Sequence, residues 1–440
     1  MKKLLKFLSS KIKYILLFYA FIQLTLILTL EANYRSDALY YYKLAQECIE
    51  QSEFYPAKQH LYEDYIVAPL YINTLIIFLT IYNSTIIISF FNLAVVLLQI
   101  MLLYKITKKI FSEEIARLTI LPFILYINTL GLMLQNYTEL FFLLLITFSI
   151  YFYLLHKNIY LILSGIFIGG AIAVRPLGWA LLLAFISIQI FTSIKNKKIL
   201  FNCFYIYSGT LLFIVLFGGF IYSHFGKFEF TSTTGPINLL LGANDDATGG
   251  FNSMVLEKGN AGYIENTEAL TYIQKGEFYQ NRAVDWIVNN PTKWLSLAPM
   301  KVLHAFSWDD ISLYSLMGFD ETNFLRVISI LVKDENLNKA LPNSNLTDQV
   351  LYFSVLIISH LYYYLLLLAI AFGIYNLFKK KLNTDISSLI LLFVVFATLM
   401  IMITVGSPRY KYPMFVLLLP FAASYIDMKL GLTKQKIVNA

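Results

Sequence analysis

Residues Ile66 to Ile81 read IVAPLYINTLIIFLTI, and whether this segment crosses a membrane decides how the whole chain is threaded. As a helix, 16 residues reach about 24 Å, short of a hydrocarbon core of roughly 30 Å. Pro69 also lies within it. The remaining apolar runs, 14–30, 84–104, 115–134, 138–155, 159–174, 177–194, 199–222, 350–378, 386–405 and 409–426, are read as spans. If 66–81 does not cross, then Lys105, Lys108, Lys109, Lys157, Lys195, Lys197, Lys198, Lys379–Lys381, Lys429, Lys434 and Lys436 share one face. That face carries 19 basic and 4 acidic residues, against 15 and 23 on the other. This is the asymmetry of a cytoplasmic side. A crossing 66–81 would move every later lysine cluster to the wrong side. We therefore expect a juxtamembrane or re-entrant helix at 66–81 and both termini cytoplasmic.

Composition agrees with this reading. Of 440 residues 58% are apolar and only 14% charged, where a soluble domain carries roughly 25% charged residues. The expected fold class is an all-α polytopic membrane protein of about ten to eleven transmembrane helices. Three regions follow: a membrane module 1–222 with a first outer loop 31–83, a large outer loop 223–349, and C-terminal membrane helices 350–440. The first run, although preceded by lysines, is longer than a signal-peptide core and lacks a small-residue cleavage site, so it is kept as a span.

The net charge of +7 is split by side of the membrane, so it does not point to nucleic acid. Cys48 and Cys203 lie too far apart in the chain to suggest a disulfide framework or a thiolate metal site. The Asn-x-Ser/Thr matches at Asn83, Asn136 and Asn345 are attributed to the chain's Ile/Lys/Asn-rich composition. The sequence contains no GxxxxGK[ST], His-Glu-x-x-His, GxSxG or CxxC motif, which argues against nucleotide-driven transport and zinc hydrolysis.

The threading gathers a few polar residues on the outer face. Asp37, in RSDALYYYKLAQ after the first span, is a candidate general base for a hydroxyl; capping of a helix 37–51 explains it as well. Glu139 opens the span after the turn 135–139, where a helix dipole favours a carboxylate, and is the second acidic candidate. Arg175, in GGAIAVRPLGW, has apolar sequence on both sides, a costly setting for an unpaired guanidinium. It suits either a lipid headgroup or a substrate phosphate. In GSPRYKYP, Arg409 and Lys411 form a compact cationic pair, and Tyr410 suits an interfacial belt. In the long loop, Asn238, Asn244 and Asp245 lie in a Gly-rich polar stretch that suits either a sugar or a plain turn. Carboxylates and arginines converging at a membrane surface suggest a lipid-borne substrate with a phosphate leaving group.

The order of these motifs resembles the GT-C class of integral membrane glycosyltransferases, close to bacterial relatives of protein O-mannosyltransferases and lipid A aminoarabinose transferases. The matching stretches run from RSDALYYYKLAQ and FYP through APLYINTL, YTELFFLLLI, LSGIFIGGAIAVRP, TGPINLLLGANDDATGGF and NNPTKWLSLAPMK to GSPRYKYPMFVLLLP, across about residues 14–425. The resemblance implies transfer of a sugar from a polyprenyl-phosphate donor to a lipid, glycan or protein acceptor. It places the protein in the bacterial cytoplasmic membrane, with an extracytoplasmic active site and inversion at the anomeric carbon. Asp37 and Glu139 would be catalytic, and Arg175, Arg409, Tyr410 and Lys301 would contact the donor phosphate. Asp37 is followed by Ala38 rather than a second acid, so no cofactor is assigned, and a divalent cation held by Asp37 and Glu139 stays open. A polymerase or ligase using lipid-diphosphate glycans would want an arginine-rich outer loop, whereas 223–349 has only Arg282 and Arg326. A flippase would want charged residues at mid-span depth, and the span interiors are nearly charge-free.

Overall fold

A computed structural model describes residues 2–30, 32–196, 202–307, 309, 346–380 and 384–432. Lys197, Lys198, Arg326, Asn345, Lys381, Lys434 and Lys436, with most of the long loop after 309, lie outside the described residues. Helices α1 (Lys2–Ser10) and α2 (Ile12–Thr29) lead to α3 (Ser36–Glu50), α4 (Pro69–Ile81), α5 (Thr85–Ile110), α6 (Glu113–Ile124), α7 (Ile127–Met133) and α8 (Thr138–Tyr153). Then come α9 (Asn158–Val174), α10 (Gly178–Asn196), α11 (Asn202–Phe225), α12 (Gly235–Leu241), α13 (Tyr272–Asn289), α14 (Pro291–Phe306), α15 (Leu346–Lys379), α16 (Asp385–Ile403) and α17 (Lys411–Leu430). The protein is an all-α, multi-pass membrane protein. Six of these helices are long and apolar enough to span singly, and α4, α8, α9 and most of α10 are shorter apolar helices.

The segment read as one span at 115–134 is instead two helices, α6 and α7, bent by 63°. Pro122 lies inside the last turn of α6, where it removes a backbone donor and loosens the helix end. Residue 66 onward is likewise resolved by proline. Pro69 occupies the first turn of α4, the position a proline tolerates best, and 13 helical residues reach only about 20 Å.

Close packing of the membrane helices rests on small residues. A Cβ on Gly165 would stand 2.0 Å from the Ile206 carbonyl oxygen, and one on Gly209 would stand 2.1 Å from that of Ile162. Only glycine lets α9 and α11 approach so closely, the usual device where lipid offers no hydrophobic drive.

The first loop is tied to the start of the long loop by backbone-level bonds. Thr233 N–H donates to the Ile66 carbonyl at 2.9 Å, Ile66 N–H donates to Thr233 Oγ1 at 2.8 Å, and the Ser232 hydroxyl donates to the same carbonyl at 3.0 Å. Within the first loop, Asn73 Oδ1 accepts the Tyr55 N–H at 2.9 Å, and Val67 N–H donates to the Tyr55 hydroxyl at 3.0 Å. Helices α12 to α14 build a small lobe around Ile237, Leu240, Val255, Tyr279 and Val405. That lobe and the first loop sit over the same ends of the membrane helices, where the polar residues collect.

Candidate active site

Each of the four charged residues that meet here has a local reason for its position. Arg175 precedes Pro176, and a pre-proline residue is pushed into extended backbone. Its φ of −148° and ψ of 135° end α9 and turn its side chain towards α8. Glu139 lies in the first turn of α8 and is fully buried. The turn before it is fixed by Asn136. Its amide donates to the Ala38 carbonyl at 3.1 Å, and its Oδ1 accepts the Tyr71 hydroxyl at 2.8 Å. Asn92 adds two bonds from α5, to the carbonyls of Met133 and Gln135 at 3.0 and 2.9 Å. Arg409 sits in the short turn Pro408–Tyr410 before α17. That turn lies hard against α14, because a Cβ on Gly406 would meet the Lys301 carbonyl at 2.1 Å.

The arrangement is a fork closed by acids on both sides. Arg409 Nε donates to Glu139 Oε1 at 2.7 Å and Nη2 donates to Oε2 at 3.2 Å, a bidentate pair. Its third nitrogen, Nη1, donates to Asp37 Oδ2. Arg175 Nη1 stands 2.8 Å from Glu139 Oε1 as an ion pair. Tyrosines cover the guanidiniums. Tyr137 lies 4.1 Å from the Arg409 carbon, and Tyr410 lies 5.1 Å from that of Arg175. Two carboxylates and two guanidiniums give a formally neutral cluster, which is what allows its burial. Side-chain exposure separates the members: Glu139 0%, Arg175 14%, Arg409 16% and Asp37 49%. Asp37 is therefore the member most open to an incoming hydroxyl.

The capping reading of Asp37 does not match the geometry. Helix α3 begins at Ser36, its cap position is Arg35 with no side-chain cap bond, and the Asp37 carboxylate is turned to Arg409. Ser36 has a φ of +47°, a costly conformation for a residue with a Cβ, at the base of this helix.

Lys411 also departs from its expected pairing with Arg409. It is buried and turned away, with Nζ 3.2 Å from Asp309 Oδ1. Tyr126 donates to the same oxygen. Burial pushes the Asp309 carboxyl up, against the pull of the Lys411 ammonium. A cavity of about 20 Å³ between this pair and the Glu139–Arg409 pair has room for about one water molecule.

Of the other sequence candidates, Lys301 is buried beneath the turn that carries Arg409, with Nζ donating to the Ile403 carbonyl at 3.3 Å. Burial lowers its ammonium to about 8. The contacts of Asn244 are structural: its amide donates to the Leu240 carbonyl at 2.8 Å and its Oδ1 accepts the Asp246 N–H at 2.9 Å, closing α12. Asp245 is at the surface, paired with Lys293 at 3.3 Å and accepting from Trp286 at 3.0 Å. Asn238 is half-buried on α12. None of these three makes a contact with the acid–arginine cluster among the interactions described. Sequence reasoning missed Tyr137, Asn136, Tyr71 and Asn92 as parts of the site. Asn136, which in sequence reads only as a glycosylation match, is fully buried. The available signal was polar side chains inside otherwise apolar spans.

Asp37 and Glu139 fit a divalent cation poorly as they stand. Their facing oxygens are taken by the Arg409 fork, and no group of three His, Cys, Asp or Glu side chains converges among the described residues.

No protein-family model and no curated protein matches the chain. Two solved structures of the Archaeoglobus fulgidus oligosaccharyltransferase are similar in fold. The apo form matches with a TM-score of 0.50 at 14% identity, covering 94% of this chain and 50% of that one. The complex with Zn and sulfate also gives 0.50, at 13% identity, over 94% and 48%. This chain spans about half the length of those it resembles. At such identity the likeness is one of fold alone, an all-α polytopic one.

Proposed function

We propose that the protein is a GT-C glycosyltransferase that moves a sugar from a polyprenyl-phosphate donor to an acceptor hydroxyl, at the extracytoplasmic side of a bacterial cytoplasmic membrane. The closer kinship with bacterial relatives of protein O-mannosyltransferases and aminoarabinose transferases belongs to the same proposal. The observation that carries it is the Arg409 fork, which holds a half-exposed acid on one side and a buried one on the other.

In this reading, donor phosphate oxygens approach Arg409 and Arg175, and competition for Nη1 releases Asp37. The acceptor oxygen forms its bond to the anomeric carbon as the bond to the phosphate oxygen breaks, with inversion. The hydroxyl proton passes to Asp37 as general base. The negative charge gathering on the departing phosphate is met by two guanidiniums already fixed in place. Glu139 stays ionised and orients both. Arg409 then supplies the positive charge that a divalent cation would bring between two carboxylates.

The test is donor kinetics. Arg409→Lys keeps the charge but loses the planar fork. It should raise the donor KM on the order of tenfold, the equivalent of about 1.4 kcal/mol, with folding retained. In the same assay a chelator should leave wild-type turnover unchanged. Unaltered donor KM in Arg409→Lys and Arg409→Ala alike would remove the phosphate role. Loss of turnover on chelation, restored by a divalent cation, would overturn the guanidinium's part in charge balance.

A further inference from the structure

A second site lies away from the acid–arginine cluster. A groove of about 670 Å³ opens between the end of the first loop and the long loop, within the roughly 300–1,000 Å³ range of small-molecule sites. Asp64 forms one wall, and Tyr263, Asn266, Glu268 and Tyr279 form others. Asn266 adopts a left-handed φ of +55°, which asparagine tolerates better than most residues, so the chain turns sharply at the rim.

The lining favours one ligand chemistry. Asp64 is balanced by Lys275, whose ammonium stands 3.0 Å from it and also donates to the Tyr62 carbonyl at 2.8 Å. Glu268 is the other acidic residue of the lining, and no lysine, arginine or histidine is among the lining residues described. The groove therefore suits neither an anion nor a strongly basic segment. The partly exposed ring of Tyr263 offers an apolar face with a polar edge, while Tyr279, buried in the lobe core, forms the floor. An amide, a hydroxyl and carboxylates offer directional acceptors and donors. That combination matches a polyhydroxylated ring with one apolar face. The groove is also linked to the cluster. Tyr65, next to Asp64, packs against the core of the lobe and feels the charges of both Asp37 and Asp64.

We infer that this groove is a carbohydrate-binding subsite that holds a neutral glycan, so that the acceptor is a sugar-bearing molecule rather than a bare peptide. The acceptor part of this inference rests on the transferase reading; the binding part does not. The experiment is titration of the full chain, in lipid nanodiscs, with neutral trisaccharides built on glucose, mannose or N-acetylglucosamine, followed by calorimetry. At least one should bind saturably. Tyr263→Ala and Glu268→Gln should each weaken binding about tenfold. Absence of saturable binding across the three sugars, or wild-type affinity in both groove variants, would overturn the inference, as would binding of an unglycosylated peptide in their place. Donor consumption measured on the same samples separates the two readings. Sugar binding without it removes the transferase and leaves the groove. Donor consumption with an acceptor KM unmoved by Tyr263→Ala removes the groove alone.

Discussion

Replacing Asp37 by Asn should lower sugar transfer by about 10²–10⁴-fold, the usual contribution of a positioned acid or base, with little loss of folded protein. The asymmetry follows from exposure. Asp37 is half open to solvent, and its single bond to Arg409 leaves the bidentate Arg409–Glu139 pair intact when it is changed. Asparagine keeps the shape and can still accept from Nη1, but it cannot hold a proton taken from a hydroxyl. The check is turnover together with a thermal melt. A variant that melts like wild type and transfers like wild type would take Asp37 out of the chemistry.

Glu139 should behave in the opposite way. Glu139→Gln leaves two guanidiniums, each mostly buried, without the carboxylate that balances them. Removing one partner of a buried ion pair costs roughly 3–5 kcal/mol, so the expected result is a large fall in thermal stability together with lost activity. Glutamine can accept one or two of the three contacts, but it brings no charge. A stability within about 0.5 kcal/mol of wild type, the usual range for surface changes, would mean that Glu139 is not the electrostatic centre of the cluster. The contrast between the two acids, one lost function with fold kept and one lost fold, distinguishes a base from an orienting group.

Much of this arrangement is readable in the sequence, for reasons that can be named. Arg175 stands out because an arginine amid apolar residues needs a partner, and Glu139 supplies it. The proline of 66–81 marks a helix start, and α4 begins at Pro69 and runs for 13 residues. What the sequence hides is partner choice. Arg409 and Lys411 are two residues apart, yet a short turn followed by the first turn of α17 sends one to Glu139 and the other to Asp309. The bend between α6 and α7 is hidden for a similar reason, since an apolar run looks the same whether it is straight or broken. Asn136 and Tyr71 are 65 residues apart and meet only once α4 and the 135–139 turn are both in place. The bonds joining residue 66 to Ser232 and Thr233 depend on tertiary contact in the same way.

The most direct measurement is incubation of the purified full chain with a panel of polyprenyl-phosphate sugars, following release of free polyprenyl phosphate. At least one donor should be consumed by the wild type, and consumption should fall steeply in Asp37→Asn. If no monophosphate donor is consumed while a polyprenyl-diphosphate glycan is, or if Asp37→Asn consumes donor as fast as wild type, the account of this site is wrong.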